Sequence, residues 1–186
     1  MAVKKVVKEK GNPFLQDLYI SQTIKFETGG DKTGAYHDDP KDMGRETKWG
    51  ISAAAHPGLK IKALTYKQAT EIYKTEYWQE CYNLLINYPD FSPIMFKLFD
   101  MGVLMGVDTS VKRLQKAINA LGATLKVDGE LGTKTLEAAR ISAPNALYDA
   151  LITQYKKYVW YLTVKRPTNL RFIKGWLNRI NFKFGA

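Results

Sequence analysis

The feature that most restricts what this chain can fold into is one long interruption in an otherwise helical pattern. Residues 28–58, TGGDKTGAYHDDPKDMGRETKWGISAAAHPG, hold six of the 14 glycines and two of the seven prolines. A connection longer than about 12–15 residues with no structure of its own is usually functional or disordered. Before it, Asn12-Pro13 is a helix start signal, a capping side chain followed by a proline suited to the first helical position. FLQDLYISQTIKFE then runs to Gly29-Gly30, which stop it. After it, Thr65 and Gln68 have the spacing of a capping box and open a second helix through EIYKTEYWQECYNLLI. Ser92-Pro93 opens a third, IMFKLFDMGVLMG, apolar nearly all round and therefore expected at the buried centre. A fourth from Thr109 or Ser110 places Leu114, Ala117, Ile118 and Leu121 on one stripe and ends at Gly122. Short helical pieces follow around TKTLEAAR, a long helix begins near Pro144, and a last one around NLRFIKGWLNRI follows the break at Pro167. Within the interruption KWGIS is the best strand candidate. The pattern predicts a mainly α fold with an irregular or short-stranded segment after the first helix.

The 45% hydrophobic and 12% aromatic content of the 186 residues excludes a disordered tail. One cysteine, Cys81, excludes an internal disulfide framework and reads as a small core residue. His37 and His56 have no carboxylate or cysteine at metal-ligand spacing, and neither a phosphate loop nor a serine elbow is present. No metal or cofactor is expected. The net charge of +10 is unevenly spread. Residues 1–10 carry four lysines and one glutamate, residues 151–186 carry eight basic residues and no acid, and the stretch between carries 16 basic and 17 acidic residues. Basic ends of this kind attract polyanions of any type. Tyr155, Tyr158, Trp160 and Tyr161 interleave with Lys156, Lys157 and Lys165, as on a single-strand nucleic-acid surface, although helical spacing sends some of these aromatics to the core.

Carboxylates gather where the helices stop. Glu27, Asp31, Asp38, Asp39, Asp42 and Glu46 are six of the 18 acids in 20 positions, a density that argues against nucleic acid as the partner. Glu27 ends the first helix, where the dipole disfavours a carboxylate, and continues the stripe of Ile20 and Ile24. A carboxyl so placed is expected to be partly desolvated with a raised pKa, as a general acid near neutrality requires. The plainer reading is a solvated helix-end glutamate. Two separated carboxylates are the minimal kit for cleaving a glycosidic bond, and Asp39 and Asp42 are the natural second partners, although both also suit turns. Thr47 reads either as a strand residue or as a hydroxyl that holds a water. Tyr36 and Trp49 flank the acids and either stack on sugar rings or serve packing.

Glu27, Gly29-Gly30 and YHDDPKDMGRETKWGI at 36–51 together resemble the N-terminal signature of the family-108 glycoside hydrolases. These are phage-type lysozymes, N-acetylmuramidases, whose pattern is roughly E-G-G-Y-x-N-D-P-x-D-P-G-G-x-T-x-x-G-I. FDM at 99–101, Leu114-Gln115 and GWLNR at 175–179 also resemble that family. The departures are Thr28 within the Glu-Gly-Gly run, the extra residues DKTGA before Tyr36, Asp38 for Asn, Met43 for Pro and Arg45 for the second Gly. VDGELGTKT at 127–135 resembles the D-G-x-x-G-x-x-T pattern of helical peptidoglycan-binding regions, a pattern of turn and helix start that secures fold more than chemistry.

The resemblance implies a lysozyme-like catalytic region at 1–108 and a helical peptidoglycan-binding-type region at 109–186, packed on the first. It implies a peptidoglycan hydrolase cleaving the β-1,4 bond between N-acetylmuramic acid and N-acetylglucosamine. Glu27 would be the general acid, Asp42 with Thr47 would position water, and Asp39 is the second candidate for that role. The expected partner is bacterial peptidoglycan, with peripheral attraction to an anionic envelope, no specific nucleic acid and a monomeric chain. The alternative is a non-catalytic wall-binding or secretion-associated protein on the same fold. MAVKKVVKEKGNPF lacks the roughly 7–15 apolar residues of a signal-peptide core, and no window approaches the roughly 18 of a membrane span. The expectation is synthesis in the bacterial cytoplasm and release to the wall or periplasm by another route.

Overall fold

The computed structural model describes residues 12–31, 33–38, 45–78, 82 and 88–185. Asp39, Asp42, Cys81 and the basic segment 1–10 lie outside the described residues. Packing divides the chain into two compact units, Pro13–Trp78 and one drawn from Gln79–Ala186 with Met1–Asn12. Among the described residues no helix is long and apolar enough to cross a membrane.

The Pro13–Trp78 unit begins with helix α1, Pro13–Glu27, its proline at the first helical position as the sequence predicts. The chain leaves α1 with the Gly30 amide donating to the Lys25 carbonyl at 2.7 Å. Three short strands follow, β1 His37–Asp38, β2 Glu46–Lys48 and β3 Ile51–Ser52, as an antiparallel sheet in that order. The register sets Thr47 opposite both His37 and Ser52, and Asp38 opposite Glu46. KWGIS is therefore two strands and the turn between them. A 3-10 turn at Ile61–Ala63 leads to helix α2, Tyr66–Glu76, whose capping box is complete: the Thr65 hydroxyl accepts from the Gln68 amide and the Gln68 side chain accepts from the Thr65 amide. α2 ends at Glu76, and most of the rest of the run the sequence suggests, 79–81 and 83–86, lies outside the described residues. α1 packs on α2, burying Tyr19, Ile20, Thr23 and Ile24 on one and Ala69 and Tyr73 on the other. Asp17 and Lys74 pair at 2.7 Å on the rim.

Among the described residues, the second unit has the helices α3 Ser92–Met105, α4 Val107–Ala120, α5 Thr133–Ile141, α6 Pro144–Lys165 and α7 Leu170–Asn181 and no strand. Helix α3 is its centre, with every residue from Ile94 to Gly102 buried, packed on α4 and α6. Helix α4 starts at Val107, before the Thr109 or Ser110 that the sequence suggests. Ser110 is no cap, because its buried hydroxyl is taken by groups distant in the chain: it donates to the Leu98 carbonyl at 2.9 Å and lies 2.6 Å from the Tyr155 hydroxyl. The D-G-x-x-G-x-x-T segment wraps the buried Gln115. That amide donates to Asp128 at 2.8 Å and to the Glu130 carbonyl at 3.0 Å, and accepts from the Gly129 amide at 2.9 Å. The Gln115 bond, and one donated by the Glu130 amide at 3.0 Å, lower the pKa of the Asp128 carboxyl. The motif acts here as a fold clasp.

Three charged groups lie inside this unit. Arg179 of α7 reaches Asp100 of α3 through Nε at 2.9 Å and through its terminal nitrogen at 2.9 Å, and also donates to the Asp100 carbonyl. Lys97 is fully buried and donates to the Arg179 carbonyl. Two motifs 79 residues apart, FDM and GWLNR, thus meet as one ion pair. Burial pushes Lys97 down to about 8. Between that value and the ordinary lysine pKa of about 10.4 the unfolded chain binds more protons, so this group's contribution to stability rises with pH. We expect urea titrations of the parent and Lys97→Met to show the parent gaining on the variant as pH climbs from about 8 to 10. Removing Arg179 takes the guanidinium from a buried carboxyl, and Arg179→Ala should cost about 3–5 kcal/mol in the same measurement.

Candidate active site

The site is assembled around a two-residue hairpin turn. Lys48 pairs with Ile51, so Trp49 and Gly50 form the loop, with φ of +55° and +77°. Positive φ at both positions matches the right-handed twist of a tight hairpin. A bulky side chain in that region costs of order 1–3 kcal/mol and persists only when its surroundings demand it. Three contacts do so. The Tyr73 hydroxyl donates to the Trp49 carbonyl at 3.1 Å. Tyr66 meets the indole edge-on with ring centroids 5.2 Å apart. Gly34 lies against the indole face so closely that any side chain there would collide with it. Trp49 ends 8% exposed.

The turn in turn touches the end of α1. A Cβ on Gly50 would lie 2.5 Å from the Tyr73 hydroxyl and 2.7 Å from Glu27 Cβ. Glu27 is half-buried there. Tyr77, just after α2, has its hydroxyl pKa raised by burial and then by the charges of Glu76 and Glu27. The candidate acid therefore sits among the hairpin turn, α1 and the last turn of α2.

Thr47 is half-buried in the middle of β2, its hydroxyl 3.4 Å from the Arg45 carbonyl. By the register it shares a face with His37 and Ser52, while Asp38 and Glu46 stand on the other. Tyr36 belongs to that second face. Its hydroxyl bonds Glu46 and lies 3.5 Å from Asp38 Oδ2, Lys62 Nζ stands 5.7 Å over its ring, and burial with the Glu46 bond pushes its pKa up to about 12. Asp31 serves the loop: its carboxylate accepts from the Thr33 amide, the Thr33 hydroxyl and the Ala35 amide, which hold its pKa down. His56 is clamped between the Ser52 carbonyl and Glu76.

A cleft of about 400 Å³ opens beside α1, lined by Ser21, Ile24, Lys25, Thr28, Asp31, Trp49 and Tyr66. Trp49 is thus a wall of a cavity, one edge packed and one facing space. Tyr66 and Tyr73 escape sequence reasoning, because only the folded hairpin reveals what they hold. Arg45 carries a signal that the sequence contains. Its φ is +54°, and it stands where the family pattern has its second glycine.

A mainly helical fold with a half-buried glutamate at the end of the first helix, set against a short hairpin, is of the lysozyme-like class. Residues 21–106 match the family model described as Glycosyl hydrolase 108, and residues 109–181 match that described as Predicted Peptidoglycan domain. The chain thus carries a glycosyl hydrolase 108 region, which makes it a glycoside hydrolase, followed by a peptidoglycan-binding-type region. Among solved structures it is similar in fold to one titled Structure of Brucella abortus SagA, with a TM-score of 0.63 at 24% identity over 94% of this chain and 99% of that chain. No curated protein sequence matches it. The family boundary between 106 and 109 and the packing boundary after Trp78 fall at different places.

Two substitutions, one before β2 and one in the turn after it, probe the left-handed backbone with opposite signs. Arg45→Gly relieves a left-handed residue and should raise stability by about 1 kcal/mol. Gly50→Ala adds a strained φ and a collision with Tyr73 and Glu27, and should lower stability by more than about 1 kcal/mol and reduce hydrolysis as well. Thermal melts and a peptidoglycan turbidity assay check both.

Proposed function

We propose that the chain is a muramidase of the phage endolysin type, cleaving the β-1,4 bond between N-acetylmuramic acid and N-acetylglucosamine in bacterial peptidoglycan. The observation that carries this reading is the packing of Glu27 against the turn of the hairpin whose β2 strand bears Thr47. Glu27 donates its proton to the glycosidic oxygen as the bond breaks. Asp42, with Thr47, holds a water on the opposite face of the sugar and takes its proton. Asp39 is the second candidate for that base. A water between two carboxyls needs them roughly 6.5–9.5 Å apart and inverts the anomeric centre. Trp49 lends the cleft an apolar wall for a sugar ring, and Tyr36, tied to Glu46, orders the strand that carries Thr47.

The division of labour we favour is hydrolysis by 1–108 and wall attachment by 109–186, with the basic ends adding attraction to an anionic envelope. In this reading the chain acts as a monomer on the wall, where it is bacteriolytic. Glu27→Gln should lose at least about 100-fold in the release of reducing ends from purified peptidoglycan, with wall binding intact. The parent's rate should fall at high pH, where a general acid has lost its proton. It should also fall at low pH, where the base is neutralised. Asp42→Asn should abolish the acidic limb. If Asp39→Asn does so instead, the base is reassigned. If Glu27→Gln hydrolyses like the parent, the mechanism is wrong.

A further inference from the structure

The hydrolase chemistry leaves unused the corner between α6 and α7. On α6, Lys157, Trp160, Tyr161 and Val164 stand at i, i+3, i+4 and i+7 and so share one face. The stripe that α6 spends on the core is another, Leu151, Tyr155, Val159 and Thr163. The first face is turned to solvent: Trp160 is 50% exposed, Tyr161 51% and Val164 79%. Past the turn at Pro167–Asn169, Leu170 is 53% exposed and Phe172 45%. Single exposed hydrophobics need no explanation, but a run of them rimmed by charge marks an interaction surface.

The rim has one sign. Lys157, Lys165, Arg166, Arg171 and Lys174 are all exposed, and residues 151–186 contain no acid. Lys165 Nζ lies 5.7 Å over the Tyr161 ring and the Arg171 guanidinium 4.6 Å over Phe172, so on each helix a cation lies against an exposed ring. The rim's charge complements an anion, either a hydrated polymer or a lipid bilayer.

The aromatics serve both, stacking on bases or lying at headgroup level. The aliphatic side chains decide. Val164 and Leu170, each more than half exposed, gain nothing from a hydrated polyanion, whereas the boundary between headgroups and acyl chains removes them from water. We propose that the α6–α7 corner docks on an anionic phospholipid bilayer, with Trp160, Val164 and Leu170 inserted and the basic rim at the lipid phosphates. This surface lies wholly within one compact unit and does not depend on the Glu27 mechanism.

The test is co-sedimentation of the full chain with vesicles of phosphatidylglycerol in phosphatidylethanolamine, against vesicles of phosphatidylcholine. Binding to the anionic vesicles should be at least about tenfold tighter. Val164→Asn with Leu170→Asn keeps the charge and should weaken that binding about tenfold, with circular dichroism unchanged. Brominated acyl chains should quench tryptophan fluorescence in the parent and quench it less in Trp160→Phe. Undiminished vesicle binding by the double variant, or quenching that does not depend on Trp160, would overturn the proposal in favour of a surface that reads charge alone. No peptidoglycan is present in either readout, so failure here is distinct from failure of the hydrolase reading.

Discussion

The hydrogen bond from the Tyr73 hydroxyl to the Trp49 carbonyl is the constraint on which the site depends. It joins α2 to a hairpin turn that the local sequence does not favour, because tryptophan resists the left-handed region. A net hydrogen bond of about 0.5–1.5 kcal/mol does not by itself offset a backbone cost of order 1–3 kcal/mol. Burying the indole against Gly34 and Tyr66 adds at least about 2 kcal/mol and settles the balance. The turn then lies against Glu27 with no room for a side chain at position 50. Core packing, turn and the position of the acid are thus one coupled arrangement, which is why two tyrosines remote from the chemistry govern it.

The second unit rests on a different economy. An apolar helix such as α3 packs equally well in several rotations, since it has little polar face to orient it. Lys97 and Asp100 remove that freedom. The bidentate Arg179 fits Asp100 in one geometry only, and the Lys97 ammonium reaches the carbonyl of that same arginine. Buried pairs of this kind add little net stability compared with apolar replacements. Their contribution here is to register α7 on α3 across a long stretch of chain.

Much of this was legible in the sequence. Asn12-Pro13, the Thr65–Gln68 box, Ser92-Pro93 and Pro144 each mark a helix start where the structure has one, because caps and prolines act within a single turn. Ser110 misleads for the opposite reason: its hydroxyl answers to Leu98 and Tyr155, far away in the chain. KWGIS looks like one strand because β propensity sees Trp and Ile. The turn inside it is imposed by Gly34, Tyr66 and Tyr73, which no local rule anticipates. Glu27 could be singled out from its place at a helix end, and Asp39 and Asp42 from composition and family pattern, although both lie outside the described residues. Tyr66, lining the cleft, carries no sequence signal beyond being aromatic.

On the proposed mechanism this site hydrolyses the bond on the reducing side of N-acetylmuramic acid. The most direct test digests purified peptidoglycan with the full chain, reduces the products with borohydride and identifies the new ends by mass spectrometry. Cleavage at that bond puts muramitol at every new end. Glucosaminitol, 1,6-anhydro ends, or an absence of new ends would contradict it.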